Sequence, residues 1–276
     1  MSDFLVTMAA GSRARSAAAQ VRTPRGALEE EVAALAPAPQ VDWDPTFSLI
    51  AEIKARSPAL GALANTGTLD RAALARAYAG AGASAVSVLT EPDRFDGTLG
   101  HLGEVTAALG RAAPAMRKDF LVDTYQILEA RVAGAGGVLL IAAMLDDTAL
   151  SAMLAVAGEL GLFVLLECFD ADDVRRSTAL AEAPAGQTLR ERGQLLLGIN
   201  TRNLRTLAVD GDRLATLAPL LPAALPAVAE SGLTAPADAA RVVELGYQVA
   251  LVGTALMQSA DPGATVAQFL RAGRGR

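Results

Sequence analysis

An apolar run carries two opposite charges near its end in the stretch Ser48-Leu-Ile-Ala-Glu-Ile-Lys-Ala-Arg-Ser-Pro58. A short, nearly continuous apolar run is typical of a parallel strand that is buried on both faces. Because side chains alternate across a strand, Glu52 and Lys54 point the same way at its C-terminal end. Burial of a lone charge is costly, so the pair is either a surface salt bridge at a strand end that reaches solvent or part of a functional site.

Length and composition predict a soluble, cytoplasmic protein built around a large core of Ala, Leu and Val. The chain has 276 residues, of which 52% are hydrophobic but only 4% aromatic. No apolar run approaches the ~20 residues of a transmembrane helix. The N-terminus carries an acidic residue, Asp3, where a signal peptide would be basic.

Cysteine and histidine are too rare for a disulfide or a zinc site. The chain has one cysteine, Cys168, and one histidine, His101. The formal net charge is -6 and the arginines are scattered, which argues against a nucleic-acid surface. We therefore expect no metal, no cofactor, no nucleic-acid partner and no membrane partner, although a local pocket can still bind a small anion.

Lysine is almost absent from this arginine-rich chain. Of the 24 basic residues, only Lys54 and Lys118 are lysine. A lysine can lose its proton when its surroundings lower its pKa, whereas an arginine stays charged. Unless these two survive by chance, they mark positions at which arginine would not work.

A repeated pattern begins at Phe47, with a short apolar run, a loop, a helical segment opened by a capping residue, and a glycine before the next run. The predicted strands are Ser48 to Lys54, Ala85 to Leu89, Ala113 to Lys118, Gly137 to Ile141, Phe163 to Glu167, Leu195 to Asn200, Ala227 to Ala229 and Val249 to Val252. Helical segments are predicted to start near Thr68, Gly100, Asp123, Asp146, Asp170, Asp210 and Pro236, with a last one after Pro262. This alternation predicts an α/β fold, a closed (β/α)8 TIM barrel. An open doubly wound sheet is the alternative, but no G-x-G-x-x-G follows the first strand.

Residues 1–46 are predicted to form an N-terminal extension, and residues 47–276 the catalytic barrel domain. The extension contains one helical candidate, around Gly26 to Leu35, followed by the helix-breaking Ala36-Pro-Ala-Pro39. We expect it to pack against the barrel rather than to fold alone.

Polar side chains stand at the C-terminal ends of the predicted strands, where barrels of this kind have their active sites. They are Glu52 and Lys54 in the first strand, Lys118 in the third, Glu167 in the fifth, Asn200 in the sixth and Glu230 after the seventh. The alternation of side chains predicts that these groups converge on the mouth of the barrel. Two loops, Ser231-Gly232 and Gly253-Thr254, are expected to bind phosphate through backbone N–H groups, with Arg202 adding positive charge.

Five motifs stand in order along the chain. They are Ile50-Ala-Glu-Ile-Lys-Ala-Arg-Ser-Pro58, Leu89-Thr-Glu-Pro92, Arg117-Lys-Asp-Phe120, Gly198-Ile-Asn-Thr-Arg-Asn-Leu204 and Ala229-Glu-Ser-Gly232. Together they resemble indole-3-glycerol phosphate synthase of the tryptophan pathway. The similarity runs from about Trp43 to Met257, with the order and spacing of the motifs intact.

This resemblance implies that 1-(2-carboxyphenylamino)-1-deoxyribulose 5-phosphate is converted to indole-3-glycerol phosphate, carbon dioxide and water. It implies that Lys118 is the general acid that protonates the ketone oxygen as the ring closes. It also implies that Lys54 holds the substrate carboxylate and helps the later dehydration, with Glu52 beside it.

The resemblance assigns supporting roles to further residues. Glu167 and Asn200 would orient the hydroxyl groups and exchange protons with them, and Glu230 would position the lysines. The phosphate would be surrounded by Ser57, Arg202, Ser231, Gly232, Gly253 and Thr254, and the apolar pocket lined by Phe95, Phe120 and Leu251. The implied partner is a small phosphorylated substrate, and other enzymes of the tryptophan pathway remain candidate partners.

Two other functions fit parts of the pattern. An isomerase barrel such as phosphoribosylanthranilate isomerase would need a Cys and Asp acid-base pair at strand ends, but Cys168 is expected on the outer strand face, in the core. A non-catalytic phosphosugar-binding barrel would keep the phosphate loops but would not need both lysines and Glu167.

Overall fold

Eight parallel strands close into a barrel in the computed structural model of the chain, which describes residues 4–57, 61–63, 69–204 and 208–275. From β1 to β8 the strands are Ser48–Ile53, Ala85–Leu89, Ala115–Lys118, Gly137–Ile141, Phe163–Cys168, Leu195–Asn200, Ala227–Glu230 and Val249–Val252. Because β1 pairs with both β2 and β8, the ring is closed, so the predicted (β/α)8 barrel is confirmed and the open sheet is excluded. β3 begins at Ala115 rather than at Ala113, since Pro114 has no N–H to give to the ladder.

Helices follow the strands and pack around the ring. In chain order they are Arg71–Gly80, Pro92–Phe95, Leu99–Leu109, Thr124–Val132, Asp147–Glu159, Ala171–Glu182, Pro184–Glu191, Arg213–Leu217, Pro236–Glu244, Thr254–Met257 and Pro262–Gly273. Short 3-10 turns cover Ala142–Met144 and Ala218–Leu220, and a small antiparallel pair joins Arg56–Ser57 to Gly61–Ala62. The side chains of Asp123, Asp146 and Asp170 each accept a backbone hydrogen bond from the first turn of the helix that follows. These predicted helix starts are confirmed, whereas the predicted start near Thr68 lies outside the described residues.

Side chains alternate between two apolar layers along the strands. Ile50 and Leu165 point into the barrel and belong to its inner core, whereas Leu49 packs outward against the helices. Cys168 lies on the outer face as expected, fully buried, with its sulfur 3.3 Å from the Ser177 hydroxyl. The face on which each of these side chains lies is the one that strand alternation predicts.

The N-terminal end of the barrel is sealed by the segment that leads into β1. Trp43 packs edge-on against Phe163 at the start of β5, with ring centroids 5.5 Å apart. The Phe163 ring fills the space beside Gly137, where an added Cβ would lie 2.4 Å from the ring. The Gln194 side chain donates a hydrogen bond to the Val41 carbonyl at 3.1 Å. The segment before β1 therefore forms part of the closed N-terminal end of the barrel, which we call the barrel floor.

The N-terminal extension contains two helices, α1 (Phe4–Arg22) and α2 (Arg25–Ala33). α2 is the helix that the sequence predicts, and it packs on the helix Thr124–Val132. α1 is not predicted, because its residues are largely alanine, serine and arginine and form no continuous apolar stripe. Leu5 and Met8 of α1 nevertheless pack into the inner core of the barrel.

Polar contacts attach α1 to the loop that follows β3 and to the helix Thr124–Val132. Gln126 donates from Nε2 to the Ser12 hydroxyl at 2.9 Å. Arg15 forms an ion pair at 2.9 Å with Asp119, whose carboxylate is almost completely buried. The extension is thereby fixed to the residue that directly follows Lys118.

Gly137→Ala is expected to lower the free energy of unfolding by about 1–3 kcal/mol, because overpacking of a filled core forces neighbours to shift. The added Cβ would meet the fully buried Phe163 ring at 2.4 Å. The matched control is Gly103→Ala in the helix Leu99–Leu109, where an added Cβ meets no atom within 4 Å. That change is expected to stabilise the protein by up to about 1 kcal/mol. Urea denaturation measures both effects, and equal stability of the two variants would contradict this account of the barrel floor.

Candidate active site

A cavity of ≈ 300 Å³ opens at the C-terminal ends of the strands. Most of the predicted site residues line it: Glu52, Lys54, Phe95, Lys118, Phe120, Asn200, Arg202, Glu230, Ser231, Gly232, Leu251, Gly253 and Thr254. Glu167 does not line the cavity, because it is fully buried and touches the site through Lys118. The side chain of Ser57 lies outside the part of the chain that the structure describes.

Two ammonium groups share one carboxylate in this cavity. Lys54 Nζ lies 2.7 Å from Glu52 Oε1, and Lys118 Nζ lies 3.9 Å from Glu52 Oε2. Lys118 Nζ also lies 3.9 Å from Oε2 of Glu167. The side chains of Lys54 and Lys118 are only 15% and 16% exposed, and that of Glu52 only 6%. These groups are therefore not a salt bridge on the protein surface.

The contacts of Glu52 and Lys118 with their neighbours favour the charged form of both side chains. Burial raises the pKa of Glu52, but the positive charges of Lys54 and Lys118 outweigh burial, and the pKa lies below its ordinary value. Burial lowers the pKa of Lys118, but the surrounding carboxyl groups, Glu167 first among them, bring the pKa above its ordinary value. Lys118 is thus an ammonium group at neutral pH, with a proton to deliver.

The Glu230 carboxyl group differs from that of Glu52 in the direction of its pKa shift. It is only 1% exposed. Burial and the negative charge of Glu167 raise the pKa of Glu230 well above its usual range, although Lys118 acts in the opposite direction. Both causes favour the protonated form of the Glu230 carboxyl group.

Gly253 makes room for the central ion pair. A Cβ at this position would lie 2.3 Å from Glu52 Oε1 and 2.9 Å from Lys54 Nζ. From the sequence, this glycine is expected to let a phosphate approach the backbone. The structure adds a second reason for glycine, because the side chains of Glu52 and Lys54 occupy the space beside the loop that follows β8.

Aromatic side chains form part of the cavity wall. Phe120 contacts Phe95 and Phe4, with ring-centroid distances of 6.2 Å and 5.8 Å. Phe4 belongs to α1 and escapes prediction together with that helix. The wall also contains aliphatic residues that carry no chemical signal in the sequence: Leu89, Leu139, Ile141, Leu204, Val209 and Leu233.

The loops after β6 and β7 form another part of the wall. Ser231 and Gly232 have φ angles of 65° and 77°, in the left-handed region. For a residue other than glycine, this conformation costs of the order of 1–3 kcal/mol, and such residues cluster at functional sites. At the end of β6, the side-chain oxygen of Asn200 accepts a hydrogen bond at 2.9 Å from the backbone N–H of Arg202. Thr201 lies between Asn200 and Arg202 in the chain and also lines the cavity, although no role is predicted for it from the sequence.

A family profile described as indole-3-glycerol phosphate synthase matches residues 18–269. The chain belongs to this family. The indole-3-glycerol phosphate synthase of Nocardioides sp. is 47% identical over 215 residues, which are 78% of this chain and 76% of that protein. The synthase of Parafrankia sp. is 44% identical over 229 residues, which are 83% of this chain and 80% of that protein.

Solved structures of more distant proteins share the fold alone. The crystal structure of 3-hexulose-6-phosphate synthase from Salmonella typhimurium matches with a TM-score of 0.61 and 16% identity, and the match covers 82% of this chain and 98% of that chain. Membership of the synthase family makes the chain a carboxy-lyase of tryptophan biosynthesis. The isomerase alternative also fails on chemistry, because Cys168 faces away from the cavity and burial raises the pKa of its thiol.

The part of the chain that the structure describes contains neither a cluster of metal ligands nor a helix that could cross a membrane. No group of three or more His, Cys, Asp or Glu side chains is placed to hold a metal ion among those residues. None of the described helices combines the length and the apolar character that crossing a membrane requires.

Gly253→Ala is expected to lower kcat by roughly tenfold or more, since displacement of reacting groups by ~1 Å can cost about 10²-fold in rate. The added Cβ would push Glu52 and Lys54 apart. Gly80→Ala is the control, because an added Cβ at Gly80 meets no atom within 4 Å. Steady-state formation of indole-3-glycerol phosphate measures both variants. A Gly253→Ala enzyme that works at the parental rate would show that the position of the ion pair does not matter.

Proposed function

We propose that the cavity closes the ring of 1-(2-carboxyphenylamino)-1-deoxyribulose 5-phosphate and then releases carbon dioxide and water. The observation that carries this proposal is the pair of ammonium groups, Lys54 and Lys118, held by Glu52 beside an aromatic wall. The substrate has an aromatic ring, a carboxylate and a phosphate. It needs an apolar wall and positive charge at separate points, and the cavity offers both.

Ring closure requires a proton donor at the ketone oxygen. Negative charge develops on this oxygen as the ring carbon that bears the carboxylate attacks the ketone carbon. Lys118 is charged and mostly buried, so its ammonium group stabilises that charge and delivers a proton. A positioned general acid typically contributes ~10²- to 10⁴-fold in rate. Arginine holds its proton too tightly for this task, which accounts for a lysine here.

Lys54 holds the substrate carboxylate until carbon dioxide leaves. Its ammonium group is oriented by Glu52 at 2.7 Å. When carbon dioxide departs, the bonding electrons return to the aromatic ring, and the hydroxyl group formed from the ketone oxygen then leaves as water. Asn200 orients the hydroxyl groups from the cavity wall and exchanges protons with them. Glu167 lies behind Lys118 and takes part in this exchange through the Lys118 ammonium group. Glu230 positions the lysines.

The substrate phosphate binds where the loops after β6, β7 and β8 meet. Its ligands are Ser57, Arg202, Ser231, Gly232, Gly253 and Thr254, and the anthranilate ring rests on Phe95, Phe120 and Leu251. Apart from Ser57, these residues line the same cavity as the two lysines, which supports the assignment. Backbone N–H groups and one guanidinium group suit a phosphate because they can donate several charge-assisted hydrogen bonds.

We infer a cytoplasmic location and a small phosphorylated substrate, with no nucleic acid and no membrane as partner. The single cysteine, Cys168, is a buried free thiol and requires no oxidising compartment. Other enzymes of the tryptophan pathway are the partners to test for direct transfer of substrate. Residues 1–46 act as one unit with the barrel of residues 47–276, because α1 supplies inner-core side chains and a partner for Phe120.

Lys118→Arg is expected to lower kcat by roughly 10²-fold or more with the fold intact, because the positive charge remains but proton delivery is lost. Steady-state kinetics and thermal melts of the variant measure the two properties separately. Lys54→Arg should affect substrate binding as well as turnover, because its proposed first task is to hold the carboxylate.

The controls for the lysine variants are Arg76→Lys and Arg241→Lys, at exposed helical positions. They should change stability by no more than about 0.5 kcal/mol and leave turnover unchanged. Parental turnover by the Lys118→Arg enzyme would show that Lys118 is not the acid.

Arg202→Gln is expected to raise KM about tenfold or more, since a hydrogen bond to a charged group contributes about 1.5–3 kcal/mol. kcat should change little, because a phosphate contact is present in the ground state and the transition state alike. Inhibition by inorganic phosphate should weaken in parallel. Arg241→Gln, on an exposed helix, is the control. An unchanged KM in Arg202→Gln would remove Arg202 from the phosphate site.

A further inference from the structure

Two buried carboxyl groups approach each other where the barrel lacks a side chain. Gly198 in β6 lies opposite Glu167 in β5 and opposite Val228 in β7. A Cβ on Gly198 would lie 2.1 Å from Oε1 of Glu230, the last residue of β7. Glu230 therefore reaches across β6 through the space that Gly198 leaves, on the side where Glu167 lies.

These two carboxyl groups have no neutral donor to satisfy them. Glu167 and Glu230 are 0% and 1% exposed, and none of their oxygen atoms has a hydrogen-bond partner among the described residues. Lys118 Nζ is 3.9 Å from Glu167 Oε2, which is beyond hydrogen-bond distance. A single proton between the two carboxyl groups satisfies both, because the protonated group donates and the ionised one accepts.

The charges around Glu230 also require a proton. The titratable groups that face it are Glu167 from β5, Lys118 from β3, and Glu52 from β1 with its partner Lys54, which directly follows that strand. Three carboxyl groups therefore face two ammonium groups in a buried region. A buried charge without a partner is costly, and one bound proton restores the balance. The direction in which burial and Glu167 move the pKa of Glu230 agrees with this count.

The overall reaction consumes a proton. The ketone oxygen receives two protons before it leaves as water, and the carbon next to the nitrogen gives up one as the indole double bond forms. The carboxylate leaves as neutral carbon dioxide, and its electrons stay in the ring. Each turnover therefore takes up one proton, and Lys118 must be recharged after it has donated.

We propose that Glu167 and Glu230 share one proton in the resting protein, and that this proton recharges Lys118 through Glu167. The transfer breaks an O–H bond of the carboxyl pair and forms an N–H bond at Lys118 Nζ. Water refills the pair when product leaves and the cavity is open. The shared proton concerns the resting protein alone, whereas its delivery to Lys118 rests on the proposed function.

Infrared spectroscopy of the resting protein tests the shared proton without any substrate. We expect the C=O band of a protonated carboxylic acid at neutral pH, and its loss in Glu230→Gln. Glu182→Gln, at an exposed helical position, should keep the band. A parent protein without the band, or a Glu230→Gln protein that keeps it, would overturn the proposal.

Gly198→Ala provides a second variant in which every carboxyl group remains. The added Cβ would displace the Glu230 carboxyl group, and also crowd Leu165 at 2.9 Å. Separation of the pair removes the carboxylate that accepts the shared proton, so the infrared band should shift in frequency. A band at the parental frequency in this variant would show that the proton does not depend on the pair.

Unfolding as a function of pH gives an independent measurement. Such a carboxyl group keeps its proton in the folded protein but ionises near its ordinary pKa of 4.5 in the unfolded chain. It therefore makes the folded protein less stable as the pH rises above that value. Glu230→Gln cannot ionise, and its amide can still donate to Glu167. Its stability relative to the parent should therefore increase from acidic to neutral pH. A difference that is the same at every pH would overturn the shared proton.

Kinetics test the delivery of the proton to Lys118. In Glu230→Gln, the multiple-turnover rate should fall by roughly tenfold or more, as expected for the loss of an acid-base group. The single-turnover rate should fall less, because Lys118 needs recharging only after it has donated its proton. If both rates fall equally, the carboxyl pair does not recharge Lys118, and Glu230 only positions other groups. If the parent protein forms no product while the infrared band is present, the proposed function fails and the shared proton stands.

Discussion

The cavity can hold two ammonium groups side by side because Glu52 lies between them. Either lysine alone would be costly to bury, and the two together would repel each other at this depth. The carboxylate of Glu52 contacts both, at 2.7 Å and 3.9 Å. Its position depends on the closed ring, since β1 is held between β2 and β8. The chemistry at the mouth of the barrel is therefore a consequence of how the barrel closes.

At the C-terminal ends of the strands, charged side chains fill the interior of the barrel. They fit there because neighbouring glycine residues leave space for them. Protein interiors are close-packed, so a large polar side chain fits only where a neighbour is small. Gly253 leaves space for Glu52 and Lys54, and Gly198 leaves space for Glu230. Neither glycine has a positive φ angle, so the reason for glycine at these positions is volume rather than backbone conformation.

The strands and their polar ends could be predicted because both follow local rules. Apolar runs bounded by turn residues mark strands, and alternation puts Glu52 and Lys54 on the inner face. α1 could not be predicted in this way, because the side chains that hold it lie about a hundred residues away, as with Arg15 and Asp119. The depth of Glu167 was also beyond local rules. Alternation gives the face of a side chain, whereas its height in the barrel depends on the stagger between strands.

Closure of the ring joins the beginning of the barrel sequence to its end, since Ser48 lies beside Val249. While the chain is being synthesised, β1 has one edge without a partner until the last strand is complete. Exposed strand edges invite pairing with other chains, and charged side chains that point toward the interior oppose such pairing. Glu52, in the strand whose edge stays unpaired longest, and Lys54, directly after that strand, are charges of this kind. The ion pair at the mouth of the finished barrel is thus also the kind of feature that opposes pairing of the unfinished barrel with other chains.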